Sequence, residues 1–175
     1  MSFELQTNLE NDIVSIQPLK KNDFETLYTI ASDPLIWEQH PNKNRYQRKV
    51  FETFFQGALE SKGAFLVFDI KTNEPIGSSR FYDFNKETKT IAIGYTFIAR
   101  KYWGRYYNHA LKALMLEHAF KFVNTVIFHI GAVNIRSQKA IEKLGAKKIG
   151  EEEKLNFIYQ INKEDWENEV CSDPN

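Results

Sequence analysis

Val126-Ile127-Phe128-His129-Ile130-Gly131-Ala132-Val133-Asn134-Ile135-Arg136-Ser137-Gln138-Lys139-Ala140-Ile141-Glu142-Lys143-Leu144-Gly145-Ala146 carries a strand, a turn and a helix in one unbroken run. The segment Val126 to Ile130 is apolar without alternation, as in a central strand covered on both faces. Asn134 is a favoured N-cap residue. Ala140, Ile141 and Leu144 fall at helical spacing, and Gly145 stands where a helix ends in a left-handed residue. A buried strand feeding straight into a helix predicts a layered α/β architecture.

Upstream, Ala64 to Ile70, Pro75 to Asp83 and Thr88 to Ile98 alternate with a period of two and read as strands. The polar connections Lys71-Thr72-Asn73-Glu74 and Asn85-Lys86-Glu87 have hairpin length, which makes these strands an antiparallel meander. Ile13 to Leu19 reads as an earlier strand ended at Pro18. Asn22-Asp23-Phe24-Glu25 opens a helix that reaches Ala31 or Ser32, where Asp33-Pro34 breaks it. A second helix from about Tyr46 to Ser61 shows an apolar face of Val50, Phe51, Phe54, Phe55, Ala58 and Leu59, and a third runs from about Asn108 to Phe122. Lys147 to Glu152 and Leu155 to Ile161 close the sheet. The expected order is β-α-α-β-β-β-α-β-α-β-β, a mixed α/β (α+β) fold with a mostly antiparallel sheet flanked by helices. No repeat or linker divides the chain, so residues 1–170 form one expected domain and Cys171 to Asn175 a polar tail.

Composition narrows the function. The 175 residues carry 23 Lys+Arg and 23 Asp+Glu, a formal charge of zero, so there is no general attraction to nucleic acid or to anionic lipid. Hydrophobic residues make up 42% and aromatics 14%, too many for a disordered chain and too interrupted by charge for a membrane span. Neither a signal nor a transit pattern opens the sequence, and its one cysteine, Cys171, can form neither an internal disulfide nor a thiolate metal site. A cytoplasmic location is the resulting expectation. His40, His109, His118 and His129 lack metal-ligand spacing, so no metal is expected. Dinucleotide, P-loop, zinc-protease and nucleophile-elbow fingerprints are absent.

Two segments stand out. Arg100-Lys101-Tyr102-Trp103-Gly104-Arg105-Tyr106-Tyr107-Asn108 runs from strand into helix, where unpaired N–H groups at the positive dipole end can bind a pyrophosphate, with Lys101 and Arg105 adding charge. An ordinary basic loop with a turn glycine is the alternative. The second segment is the helix start at Asn134 and Ser137, whose three-residue spacing is explained equally by N-capping.

Together these stretches resemble the GNAT superfamily of acyl-coenzyme A dependent N-acyltransferases, within it the ribosomal-protein (RimJ/RimL-like) branch. The resemblance covers most of the chain. It rests on Asn134-x-Arg136-Ser137-x-x-Ala140-x-x-x-Leu144-Gly145-Ala146, with Ile93-Gly94-Tyr95, Tyr102-Trp103-Gly104 and Ile76-Gly77-Ser78-Ser79-Arg80. It implies a gap where the fourth and fifth strands splay, with acetyl-CoA as co-substrate in the gap and an amine acceptor entering from the opposite side. The pantetheine arm would pair with backbone near Phe97 and Ile98, and the pyrophosphate would meet the turn that includes Lys101, Gly104, Arg105, Tyr106, Tyr107 and Asn108. In the family motif Q/R-x-x-G-x-G/A the matching positions are Lys101, Gly104 and Tyr106, and Gly104 agrees.

The resemblance also implies an oxyanion donor near Phe97 or Ile98, a hydrogen bond from Ser137 to the leaving sulfur, and a positioning role for Asn134. The strand-four carboxylate of many relatives corresponds to Ala92 here. His40, in the connection that overhangs the acceptor side, is the candidate base, and Tyr159 a secondary proton donor. His109, His118 and His129 read as structural. An N-terminal α-amine, with a reference pKa of about 8 against about 10.4 for lysine, suits weak base catalysis. A small-molecule acceptor, a non-catalytic acyl-CoA sensor and a homodimer stay open.

Overall fold

The computed structural model describes residues 4–172. Its elements are β1 (Leu9–Glu10), β2 (Val14–Pro18), α1 (Phe24–Ala31), α2 (Arg48–Ser61), β3 (Ala64–Asp69), β4 (Pro75–Asn85), β5 (Thr90–Ile98), α3 (Tyr107–Ala119), β6 (Thr125–Gly131), α4 (Ile135–Glu142), β7 (Lys147–Glu152), β8 (Asn156–Asn162) and α5 (Lys163–Ser172). Short 3-10 turns occupy Pro34–Trp37, Lys43–Tyr46 and Arg100–Tyr102. One sheet has the order β1-β2-β3-β4-β5-β6-β8-β7, antiparallel at every junction except the parallel β5–β6 pair. This is the mixed, helix-flanked sheet expected from the sequence, with two additions, β1 and α5.

Alternation along β3 shows how the layers are built. Phe65 and Val67 join a core formed with Leu111, Met115 and Ala119 of α3, Ile141 of α4 and Trp166 of α5. Ala64 and Leu66, on the other face, join Leu27 and Ala31 of α1 and Phe51, Phe55 and Ala58 of α2. A period of two thus divides one strand between two cores. Cys171 is exposed within α5.

Candidate active site

Strands β5 and β6 pair through Thr90–Thr125, Ile91–Val126 and Ala92–Ile127 and part thereafter. The cause lies within β5. Its register against β4 slips between Ser78 and Arg80, where Ser78 faces Phe97 and Arg80 faces Gly94. One extra residue is accommodated by Tyr95 in the left-handed region, at φ 53. Such a bulge bends its strand and reverses the facing of everything beyond it. Ile91 and Ile93 lie in the α3 core, whereas Phe97, of the same parity, lies in the α1–α2 core. The bend carries the second half of β5 away from β6.

At the open end two helices begin. Gly104 and Tyr106 both have positive φ, 71 and 59, in the turn that leads to α3. The Tyr106 side chain is 80% exposed and points outward. The first intrahelical donor is Ala110 N–H, to Tyr106 O at 2.8 Å, and no side chain caps the helix, so the amides just before Ala110 have no helical acceptor. Lys101 is held by Glu74 at 2.6 Å, Tyr107 donates its hydroxyl to Asp69 Oδ1 at 3.1 Å, and Arg105 is exposed. The side chains of Arg105 and Asn108 make no hydrogen bond among the described residues.

At α4, Asn134 Oδ1 accepts from Ser137 N at 3.2 Å, an N-cap. The half-buried Ser137 hydroxyl has no partner among the described residues. Arg136 stacks on Trp103 with its guanidinium carbon 3.8 Å from the ring centroid, and its N–H donates to Gln39 Oε1 at 3.2 Å. The Trp103 indole in turn donates to Ile98 O at 2.9 Å. These contacts tie the ends of β5 and β6 to the α1–α2 connection. A cavity of about 600 Å³ adjoins them, lined by Ile30, Asp33, Ile36, Ala99, Arg100 and Lys101, among others.

The α3 face of the parting holds Lys112. It is 5% exposed, donates to Thr96 Oγ1, and lies 5.8 Å from the Phe128 ring centroid. Burial without a carboxylate pushes its pKa down to about 7.

The opposite face carries Tyr82, whose hydroxyl lies 2.8 Å from His129 Nδ1. Burial, with the neighbouring Tyr95, raises the Tyr82 pKa, so the group is a neutral phenol. His129 is half-buried and lies two residues beyond the last β5–β6 pair. The sequence reads His129 as structural because an apolar strand implies neighbours on both sides, whereas β6 has no pairing with β5 at that level.

His40 lies in the connection between α1 and α2. Its Nδ1 faces Asn42 N–H at 2.9 Å and its Nε2 faces Arg45 Nη1 at 3.2 Å. Both partners are donors, while a neutral imidazole has one accepting nitrogen. Burial and the Arg45 charge push its pKa down to about 4. The His40 ring is thus held between Asn42 N–H and the Arg45 guanidinium, with its protonated form disfavoured. Tyr159, 2% exposed, donates to Glu142 Oε1 at 3.0 Å and is engaged in packing α4. His109 is exposed, and His118 is buried with Nε2 3.2 Å from Glu4 O. No group of three His, Cys, Asp or Glu able to hold a metal occurs among the described residues. No helix there is long and apolar enough to cross a membrane.

A family model described as an acetyltransferase (GNAT) domain matches residues 14–147. No curated protein matches the chain by sequence. Among solved structures, an acetyltransferase (GNAT family) from Bacillus anthracis is similar at TM-score 0.74 and 20% identity, covering 90% of this chain and 99% of that one. Spermidine N-acetyltransferase from Vibrio cholerae, in complex with CoA and spermine, gives 0.70 and 14%, covering 90% and 100%. Mycobacterium smegmatis RimJ, in complex with CoA-disulfide, gives 0.70 and 16%, covering 95% and 93%. At these identities the likeness is one of fold.

Proposed function

Since the chain belongs to the GNAT acetyltransferase domain family, we propose that it moves an acetyl group from acetyl-CoA to a primary amine by direct attack, with an N-terminal α-amine of a protein or peptide as the favoured acceptor. The observation that carries this reading is the parting of β5 and β6 after Ala92 and Ile127, with the starts of α3 and α4 both at its open end.

The residues present fit the co-substrate. Orphan amides before Ala110 suit a diphosphate, backbone around Phe97 and Ile98 suits an extended arm, and the free Ser137 hydroxyl suits the leaving sulfur. When bound, acetyl-CoA supplies an activated acyl carbon. That carbon bonds the amine nitrogen as its bond to sulfur breaks. An amide N–H of β5 near Phe97 serves as oxyanion donor.

We assign the base to His129. With the Nδ1 proton donated to the Tyr82 oxygen, Nε2 keeps its lone pair and takes the amine's proton. Sulfur leaves as thiolate beside Ser137. His129 lies two residues beyond Ile127, the β6 partner of Ala92, where many relatives carry a carboxylate. The RimJ/RimL-like branch is part of the proposal and rests on the Asn134 to Ala146 motif.

The test mixes protein and acetyl-CoA with N-terminal peptides, polyamines and aminoglycosides while free thiol is followed. Thiol release that depends on a peptide N-terminus is the expected result. Saturable coenzyme binding without release from any acceptor would instead make the protein a non-catalytic acyl-CoA sensor.

A further inference from the structure

Arg80 sits in the middle of β4 and is 7% exposed. Its guanidinium carbon lies 3.9 Å from the Tyr95 ring centroid and 5.4 Å from that of Phe54. Arg45, from the α1–α2 connection, covers the same two rings at 5.9 and 4.6 Å. Two guanidinium groups therefore share one aromatic floor on the face that holds Tyr82 and His129.

Neither has a counterion among the described residues. No carboxylate lies within ion-pair distance of Arg45 or Arg80 among the described residues. Arg80 makes no side-chain hydrogen bond there, and its Nε is buried with no partner. Arg45 has one polar contact, the His40 ring. A guanidinium offers five donors in a planar fork and no acceptor, so this pair presents about ten N–H groups with almost nothing to receive them. Aromatic faces offset part of the burial cost, but they accept no directed hydrogen bond of normal strength. Two like charges held together and desolvated are the arrangement that a shared anion relieves. Burial lowers the pKa of both groups, that of Arg45 to about 10, so both stay cationic at neutral pH.

We propose that Arg45 and Arg80 form a carboxylate subsite on the acceptor side of the cleft, and that the amine acetylated here carries an acidic side chain on its N-terminal residue. The inference rests on the acetyltransferase reading and narrows its substrate. The planar fork matches a carboxylate in two-point contact, and the neighbouring Tyr82–His129 pair lies where the α-amine of the same residue would be deprotonated. Polyamines fit poorly, because their charges would meet two fixed cations.

Amidated pentapeptides beginning with glutamate or aspartate are compared with those beginning with glutamine or asparagine. Free glutamate is a further arm, which tells an amino-acid acceptor from a peptide. Thiol release gives kcat/KM, and calorimetry on the CoA-saturated protein gives peptide affinity. The acidic peptides are expected to exceed their amide counterparts by about 10- to 100-fold, the range of a charge-assisted hydrogen-bond pair. Arg45→Gln and Arg80→Gln should each bring that ratio towards one. Arg45 lies on a surface connection, so its variant remains informative if Arg80→Gln does not fold. Equal binding and turnover of both peptide sets, with ratios unmoved by Arg45→Gln, would overturn the subsite. Tighter binding of acidic peptides that depends on Arg45, without thiol release, would uphold the subsite and defeat the transferase reading.

Discussion

Tyr82 of β4 reaches across β5 to place its hydroxyl 2.8 Å from His129 Nδ1 on β6. The strand between them leaves room because residue 94 is glycine: a Cβ there would lie 3.0 Å from the Tyr82 ring. The contact thus joins two strands that are not neighbours, at the level where β5 and β6 have just parted.

If His129 takes the amine's proton, His129→Gln should lower kcat by about 100-fold or more, the usual scale of a lost general base. Tyr82→Phe should lower it less, since the ring keeps its place and only the hydroxyl is lost. Coenzyme affinity should be unchanged in both. Thiol-release kinetics beside calorimetry check this, and an undiminished kcat in His129→Gln would remove it from the chemistry.

On the proposed mechanism, variants at Ser137 and Asn134 separate catalysis from folding. The Ser137 hydroxyl has no partner among the described residues, so Ser137→Ala should leave the melting temperature within about a degree and reduce turnover. Asn134→Ala removes an N-cap and should cost about 1 kcal/mol of stability. Urea unfolding of the two variants beside their rates distinguishes the roles.

Lys112 gives stability a pH dependence. Its folded pKa of about 7 lies below the ordinary 10.5, so between these values the unfolded chain binds a proton that the folded chain does not. Stability from this group therefore rises with pH through that window, and below pH 7 the full penalty of a buried charge applies. The total is on the order of 5 kcal/mol. Lys112→Met should raise the urea midpoint at pH 6.5 and flatten its rise towards pH 10; an unchanged slope would show that the amine reaches water.

Tyr106 holds φ 59, a conformation that costs a residue with a Cβ about 1 kcal/mol. Tyr106→Gly should raise the melting temperature and preserve coenzyme affinity, because the side chain points outward. Gly104→Val should weaken affinity through backbone strain at φ 71, not collision, since a Cβ there meets nothing within 4 Å. Titration calorimetry reads both.

Much of this architecture was legible in the sequence, and the gaps have identifiable causes. The order of the main elements followed from periodicity, turn length and capping residues. Helix α5 was hidden because Trp166 is the buried anchor of an otherwise polar and charged stretch, Lys163 to Glu169, with no apolar stripe. The bulge was masked by its own surroundings: Ile91, Ile93, Tyr95 and Phe97 alternate without interruption, yet the first two face α3 and the last two face α2. Tyr106 stands at the position where the family motif has glycine or alanine. The structure shows that this position demands a left-handed backbone, which tyrosine supplies with its ring directed outward. The pairing of Arg45 with Arg80 joins residues far apart in the chain over a shared ring, which no local pattern encodes.

The three-rung parallel junction between β5 and β6 also divides the sheet mechanically, with five strands on one side and three on the other. A ligand arm lying between them would act as a splint, supplying rungs that the polypeptide lacks. Occupancy should then slow amide exchange on both flanking strands far from any atom the ligand touches, so that coenzyme recognition and the cohesion of the two half-sheets are one thermodynamic event.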